Sequence, residues 1–277
     1  MRYDPVKKIF GDVVRNRHWL RRLLYALLGL MFLREWYVKR ALRKALSDNN
    51  KRLDIYDAGC GFGQYSYYVA QRFPAAQIYA VDVKEEEVAE CRRFFESQGL
   101  RHCSFAVEDL LAIQHTSRFD VILSVDVMEH IEDDRRVFGN FFRALKPGGL
   151  LLVNTPSNLG GSDVHEEGGK SFIEEHARSG YGVEEIREKL ESTGFVVENV
   201  TLTYGPFGSV AWRLGIKYPM QMLNASRLLF VLLPFYYIIT LPIVLPLMYL
   251  DYRSENSTGT GLLVVAGKPE RSDGNNH

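Results

Sequence analysis

Asp57, Gly59, Gly61 and Gly63 alternate along Asp57-Ala58-Gly59-Cys60-Gly61-Phe62-Gly63, between an apolar run (Leu53 to Tyr56) and a helical pattern (Gln64 to Phe73). That order reads as a strand, a tight turn and a helix start. Alternate glycines let the backbone take φ > 0 and let a ligand approach with no Cβ in the way. Unpaired amides at the helix start favour an anionic or electron-rich group, so a nucleotide-like ligand is expected against this loop. Spacing narrows the choice. The dinucleotide fingerprint needs a third glycine at position 64, which is Gln64, and the Gly-Lys-Ser/Thr of a phosphate-binding Walker loop is absent.

The elements around this loop alternate in type. Strands are predicted at Leu53–Ala58, Gln77–Val83, Cys103–Val107, Phe119–Ser124, Leu150–Thr155, Phe195–Tyr204 and Gly261–Lys268. Helices are predicted at Gln64–Phe73, Lys84–Gln98, Asp133–Leu145 and Val183–Thr193, with Lys146-Pro147-Gly148-Gly149 as a helix stop. Such alternation predicts an α/β fold: a doubly wound, mostly parallel seven-stranded sheet with helices on both faces. Ligands of such sheets lie beyond the carboxyl ends of the strands, and the acidic positions fall there. Asp82 closes the second strand, where a carboxylate can accept from both hydroxyls of a ribose or cap the helix at Lys84. Glu108-Asp109-Leu110 follows the third strand, and Ser124-Val125-Asp126-Val127-Met128-Glu129-His130-Ile131 follows the fourth.

The D-x-G-x-G-x-G loop resembles motif I of the class I S-adenosylmethionine-dependent methyltransferases. The Glu129-His130 segment, Leu145 to Asn158, and Glu175-His176-Ala177-Arg178-Ser179-Gly180-Tyr181 resemble the group that includes the ubiquinone-biosynthesis O-methyltransferases. The resemblance covers about residues 53–204 plus the last strand. It implies a Rossmann-like fold, S-adenosylmethionine as cofactor, and methyl transfer. Asp57, Gly59, Cys60, Gly61 and Gly63 would hold the methionine end, Asp82 and Val83 the ribose side, and Asp109 the adenine amino group, with Leu110 as a wall. Ser124 and Asp126 complete the expected cofactor contacts. A hydroxyl acceptor calls for a general base; the candidates are His130, His165 and His176, with His130 expected nearest the reacting centre. Glu129, His130, Glu132 and Asp133 crowd one helix start, which the helix dipole alone favours, and no metal is assigned.

Charge and apolarity are unevenly spread. The 277-residue chain is 46% apolar and 25% charged with zero net charge, yet residues 1–52 hold 14 Lys/Arg against 4 Asp/Glu. Leu228 to Leu250 carries no Asp, Glu, Lys, Arg or His over 23 residues, long enough to span a bilayer. It lies between the last two strands, which must meet in one sheet, so a single crossing would strand them on opposite sides. Pro234, Pro242 and Pro246 are expected to interrupt a helix, which points to a re-entrant hairpin or broken interfacial helices. The apolar Leu20–Leu33 stretch, with arginines around it, is expected as an amphipathic helix near phospholipid heads. The organisation expected is therefore 1–52 a basic, apolar helical segment; 53–204 the methyltransferase core; 205–258 a docking or lid insertion; 259–268 the last strand; and 269–277 a polar tail. Cys60, Cys91 and Cys103 form no C-x-x-C pair and are expected as reduced, buried thiols of a cytoplasmic domain. The expected partners are a lipophilic small molecule, a membrane surface and a second copy of the chain, without nucleic acid. The rival expectations are a soluble enzyme for a polar metabolite and a non-catalytic scaffold.

Overall fold

The computed structural model describes residues 18–47, 52–160 and 177–270. Seven strands form one sheet in the order β3-β2-β1-β4-β5-β7-β6. They are β1 Asp54–Ala58, β2 Gln77–Asp82, β3 Cys103–Val107, β4 Phe119–Val125, β5 Leu145–Pro156, β6 Val196–Thr203 and β7 Gly261–Gly267. β1 to β5 pair in parallel, while β7 runs antiparallel between β5 and β6. The order turns back at β1 and β4, so their carboxyl ends flank the topological switch point.

Helices α1 His18–Met31, α2 Leu33–Ala45, α3 Gln64–Arg72, α4 Glu85–Ser97, α5 Asp134–Ala144 and α6 Val183–Ser192 cover the sheet. Two apolar layers result. One packs α1, α2, α3 and α4 against Ile55, Ile78 and Val121, and the other packs α5 and α6 against Tyr56, Ile122 and Leu151. α2 belongs to the core: Leu33, Tyr37, Val38 and Leu42 are buried. Over its described part, the basic N-terminal segment is helical and packs into the core. The expected helix stop at Lys146–Gly149 lies within β5, whose pairing with β4 shifts register between Phe119 and Val121. Cys60 and Cys91 are buried as expected, whereas Cys103 is half-buried.

The insertion between β6 and β7 is a helical hairpin. Its outgoing arm runs through α7 Pro206–Trp212, a π-turn at Arg213–Lys217 and α8 Tyr218–Ala225; a 3₁₀ turn at Arg227–Leu232 leads into the returning α9, Leu233–Arg253. The π-turn widens the helix, and the hydroxyls of Tyr236 and Tyr237 on α9 donate to the carbonyls of Leu214 (2.6 Å) and Gly215 (2.9 Å). The prolines do not break α9, contrary to expectation. Pro234 sits in the first turn, where no N–H is needed. Pro242 and Pro246 are four residues apart on the outward face, while Val244 and Met248 are buried toward the other arm. At the root, the buried Asp251 carboxylate accepts from the Tyr37 hydroxyl (2.9 Å), the Gly208 amide (2.9 Å) and Asn256 (3.3 Å). Thr203 pairs with Gly261, so the hairpin leaves and rejoins the sheet at one place.

Candidate active site

The glycine turn has the conformation its sequence predicts: φ is +79° at Gly59, +48° at Gly61 and +72° at Gly63. Only Gly61 faces open space. A Cβ there would meet nothing nearer than Glu87 Oε2 at 3.7 Å, whereas a Cβ on Gly59 would lie 2.3 Å from Val127 Cγ2. Gly59 is thus small because the strand-four loop lies against it. Gly61 leaves its backbone accessible to a ligand.

Asp82 holds this turn. One carboxylate oxygen accepts from the Gly61 amide (3.0 Å) and the other from the Lys84 amide (3.0 Å). Asp82 thus braces the glycine turn and the residue that opens α4, and each oxygen retains a lone pair for a ribose hydroxyl. Val83, beside it, is exposed. Asp57 lies beneath the turn: it is buried, accepts from Ser66 Oγ at 2.5 Å and so ties β1 to the first turn of α3. Burial pushes its carboxyl up to about 6, with the Ser66 hydrogen bond opposing. Cys60 is buried beside the Gly61 carbonyl. Asp109 caps its own turn by accepting from the Leu111 amide at 2.9 Å. That turn sends Leu110 into the core beneath α5, with its carbonyl accepting from Asn140. Leu110 thus packs in the core beside the strand-three loop.

At the end of β4, Ser124 is fully buried and its hydroxyl has no hydrogen-bond partner among the described residues. Asp126 takes φ +53°, accepts from Asn154 Nδ2 at 3.0 Å and forms an ion pair with Arg34. A non-glycine residue held at positive φ beside a ligand corner is a strained position of the kind found at functional sites. His130, the favoured base, is exposed on the short 3₁₀ turn Met128–His130, while its neighbour Glu129 points inward. Glu129 is 1% exposed and accepts from Thr155 Oγ1 at 3.2 Å. Burial pushes its carboxyl up to about 7, opposed by hydrogen bonds and by Arg34. His165 and His176 lie outside the described residues. Among the described residues no group of three or more His, Cys, Asp or Glu side chains converges on a metal position.

Arg34 is not a sequence candidate for the site, and Glu129 enters only through the strand-four motif and the acidic helix start, not as a base. Arg34 reaches it from α2, and its guanidinium lies within electrostatic reach of Tyr65, Tyr204, Glu35 and Glu129. Its Nη1 pairs with Asp126, and its buried Nε has no partner among the described residues. The Tyr204 hydroxyl accepts from the Arg34 amide at 3.2 Å. Tyr204 also lines a cavity of about 210 Å³ at the hairpin root, together with Pro206, Ser209 and Arg213. A polar cluster therefore stands between the glycine corner and the apolar insertion. No local sequence pattern around Arg34 points to this role. For Glu129 the signal was its place in the strand-four motif.

The residues fit a nucleoside with a charged methionine-like end: an open backbone corner at Gly61, the Asp82 lone pairs and the Ser124 hydroxyl, which has no partner among the described residues. Residues 55–149 match the family described as a methyltransferase domain. A probable S-adenosylmethionine-dependent methyltransferase of Mycolicibacterium smegmatis is 31% identical over 146 residues, covering 53% of each chain. A ubiquinone biosynthesis O-methyltransferase of Idiomarina loihiensis is 32% identical over 36% of this chain and 41% of its own. The chain thus spans about half the length, or less, of these curated relatives. Among solved structures, phosphoethanolamine N-methyltransferase 2 of Haemonchus contortus superposes with a TM-score of 0.61 at 20% identity, covering 94% of this chain and 59% of that one. This chain carries a methyltransferase domain of the S-adenosylmethionine-dependent kind.

Proposed function

We propose that the chain methylates a lipophilic small molecule at a membrane surface, with oxygen preferred as the acceptor atom and a quinone precursor, isoprenoid or lipid as the acceptor class. The observation that carries this reading is the hairpin. It leaves the sheet beside the site, and the 18-residue stretch of highest hydropathy in its returning helix region is only 11% buried, with mean hydropathy 2.4. Leu228 is 84% exposed and Ile238 and Ile239 are each 70% exposed. A contiguous apolar surface of this kind is rare on soluble monomers and marks a lipid or protein contact. At 21 residues α9 is about 31 Å long. Because both hairpin ends join one sheet, the reading is monotopic entry rather than a crossing, with the domain on the cytoplasmic face.

S-adenosylmethionine, when bound, supplies a methyl group already activated by its sulfonium, so the protein mainly positions the acceptor. The Gly61 corner and Asp82 would fix the donor, while an acceptor head reaching past Tyr204 would meet Arg34, Tyr65 and Glu129. Glu129 would receive the acceptor hydroxyl proton at its carboxylate. The acceptor is then amphipathic, with a polar head in this cluster and an apolar remainder along the hairpin. Incubation with methyl-labelled S-adenosylmethionine and membrane lipid extracts should label an organic-soluble product, and flotation with liposomes should carry the protein upward. Label confined to water-soluble products, with protein left at the bottom, would replace this reading by the soluble one.

A further inference from the structure

We infer that α1 is a second lipid-docking surface that also clamps the cofactor loop, so that binding an anionic bilayer tightens cofactor binding. The inference rests on the membrane reading above but uses a different element. α1 has two unlike faces. On the inner face, Arg21 and Tyr25 are buried, one turn apart. Arg21 Nη2 donates to the Phe62 carbonyl at 2.7 Å, and the Tyr25 hydroxyl donates to the same carbonyl. Arg21 also donates to the Glu90 carbonyl at 3.3 Å and lies 4.7 Å from the Phe94 ring centre. Phe62 stands between Gly61 and Gly63, so α1 holds the peptide next to the open corner.

The outer face is apolar and exposed among the described residues. Trp19, Leu23, Leu27 and Leu30 fall on one stripe at helical spacing and are 54%, 46%, 44% and 40% exposed. Arg22 is exposed beside them, and α1 has no acidic residue. A tryptophan–leucine stripe edged by a cation complements an anionic lipid surface. Residues 1–17, which lead into it, carry five Lys/Arg against two Asp.

The coupling follows from how a short helix is stabilised. A 14-residue helix is marginal on its own in water. It persists here through its inner face, and lipid contact along its outer face would stabilise the same helical state. That state presents Arg21 and Tyr25 to Phe62, so lipid and cofactor favour one conformation. Such linkage is reciprocal.

The test measures S-adenosylhomocysteine affinity by calorimetry with and without phosphatidylcholine–phosphatidylglycerol vesicles, and flotation on the same vesicles. The wild-type protein should bind S-adenosylhomocysteine at least fivefold more tightly with vesicles, with amide exchange slowed at Gly61 to Gln64. Arg21→Gln and Tyr25→Phe should still float but bring the vesicle factor close to one. The triple variant Leu23→Ser, Leu27→Ser, Leu30→Ser should also lose the gain. A floating wild-type protein whose affinity is unchanged by vesicles would overturn the coupling and leave membrane docking standing. A vesicle gain undiminished in both inner-face variants would overturn the clamp. Failure to float would remove the coupling and the membrane reading together.

Discussion

The buried carboxyl of Glu129 makes stability depend on pH in a way that its replacement isolates. Its pKa is about 7 in the folded chain against an ordinary 4.5, so the folded state holds a proton through that window that the unfolded state has released. The stabilisation from this proton is fully present below the unfolded pKa and is lost as pH rises through the folded pKa. Between pH 5 and 8 the loss is about 3 kcal/mol at 1.36 kcal/mol per pKa unit. Asp57, raised from 3.8 to about 6, has the same sign and loses about 1 kcal/mol over the same interval, because most of its change lies lower. Urea unfolding of the wild-type protein should therefore show a fall of about 4 kcal/mol from pH 5 to pH 8. Glu129→Gln keeps an acceptor for Thr155 and removes the titration, so its fall should shrink to about 1 kcal/mol. Asp57→Asn should leave about 3 kcal/mol. Parallel curves for wild type and Glu129→Gln would refute the reasoning, since they would show that Glu129 binds protons equally in both states.

The same carboxyl predicts that methyl transfer to a hydroxyl acceptor rises as pH passes about 7, and that Glu129→Gln flattens the profile of kcat while leaving S-adenosylhomocysteine affinity near wild type. Asp82→Ala should weaken S-adenosylhomocysteine binding at least tenfold by calorimetry, and unchanged affinity would exclude the ribose assignment. Gly59→Ala puts a Cβ 2.3 Å from Val127 Cγ2 at φ +79°, which should cost about 3 kcal/mol in denaturant unfolding from strain and overpacking together; Val127→Ala should recover part of it. Asp251→Ala leaves the Tyr37 hydroxyl, the Gly208 amide and Asn256 without their acceptor. Unfolding should become easier by about 3 kcal/mol or more, with faster amide exchange at the start of α7; no change would mean that water replaces the carboxylate.

How much of this arrangement is legible in the chain depends on the distance over which its cause acts. The β–α alternation, the glycine turn and the acid at the end of β2 are local features, and the sheet strands and their helices lie within a residue or two of where periodicity places them, except β5, which starts at Leu145 rather than Leu150. Pro242 and Pro246 mislead because helix breaking is a local rule. Here both rings sit on the outward face of α9, while the inward contacts of Val244 and Met248 continue undisturbed. Glu129 and His130 are harder to order from sequence for a finer reason. In a turn of three residues the inward position changes from one residue to the next, and composition alone ranks the histidine first by its ordinary titration range.

Arg34 could not be found by any local rule, because its place is set by packing across 92 residues of chain to Asp126. α2 buries Tyr37 one turn beyond Arg34, and Tyr37 is fixed in turn by Asp251 at the hairpin root. The cation in the site and the apolar hairpin are thereby anchored to the same helix. Displacing the hairpin root would move Tyr37 and, one turn away, the guanidinium that pairs with the strand-four loop. On the proposed reading, specificity for the acceptor would belong to the added helices, and the sheet with its glycine turn would serve the methyl donor. Arg34, Tyr204 and the hairpin all lie outside residues 55–149, the stretch that matches the methyltransferase domain family.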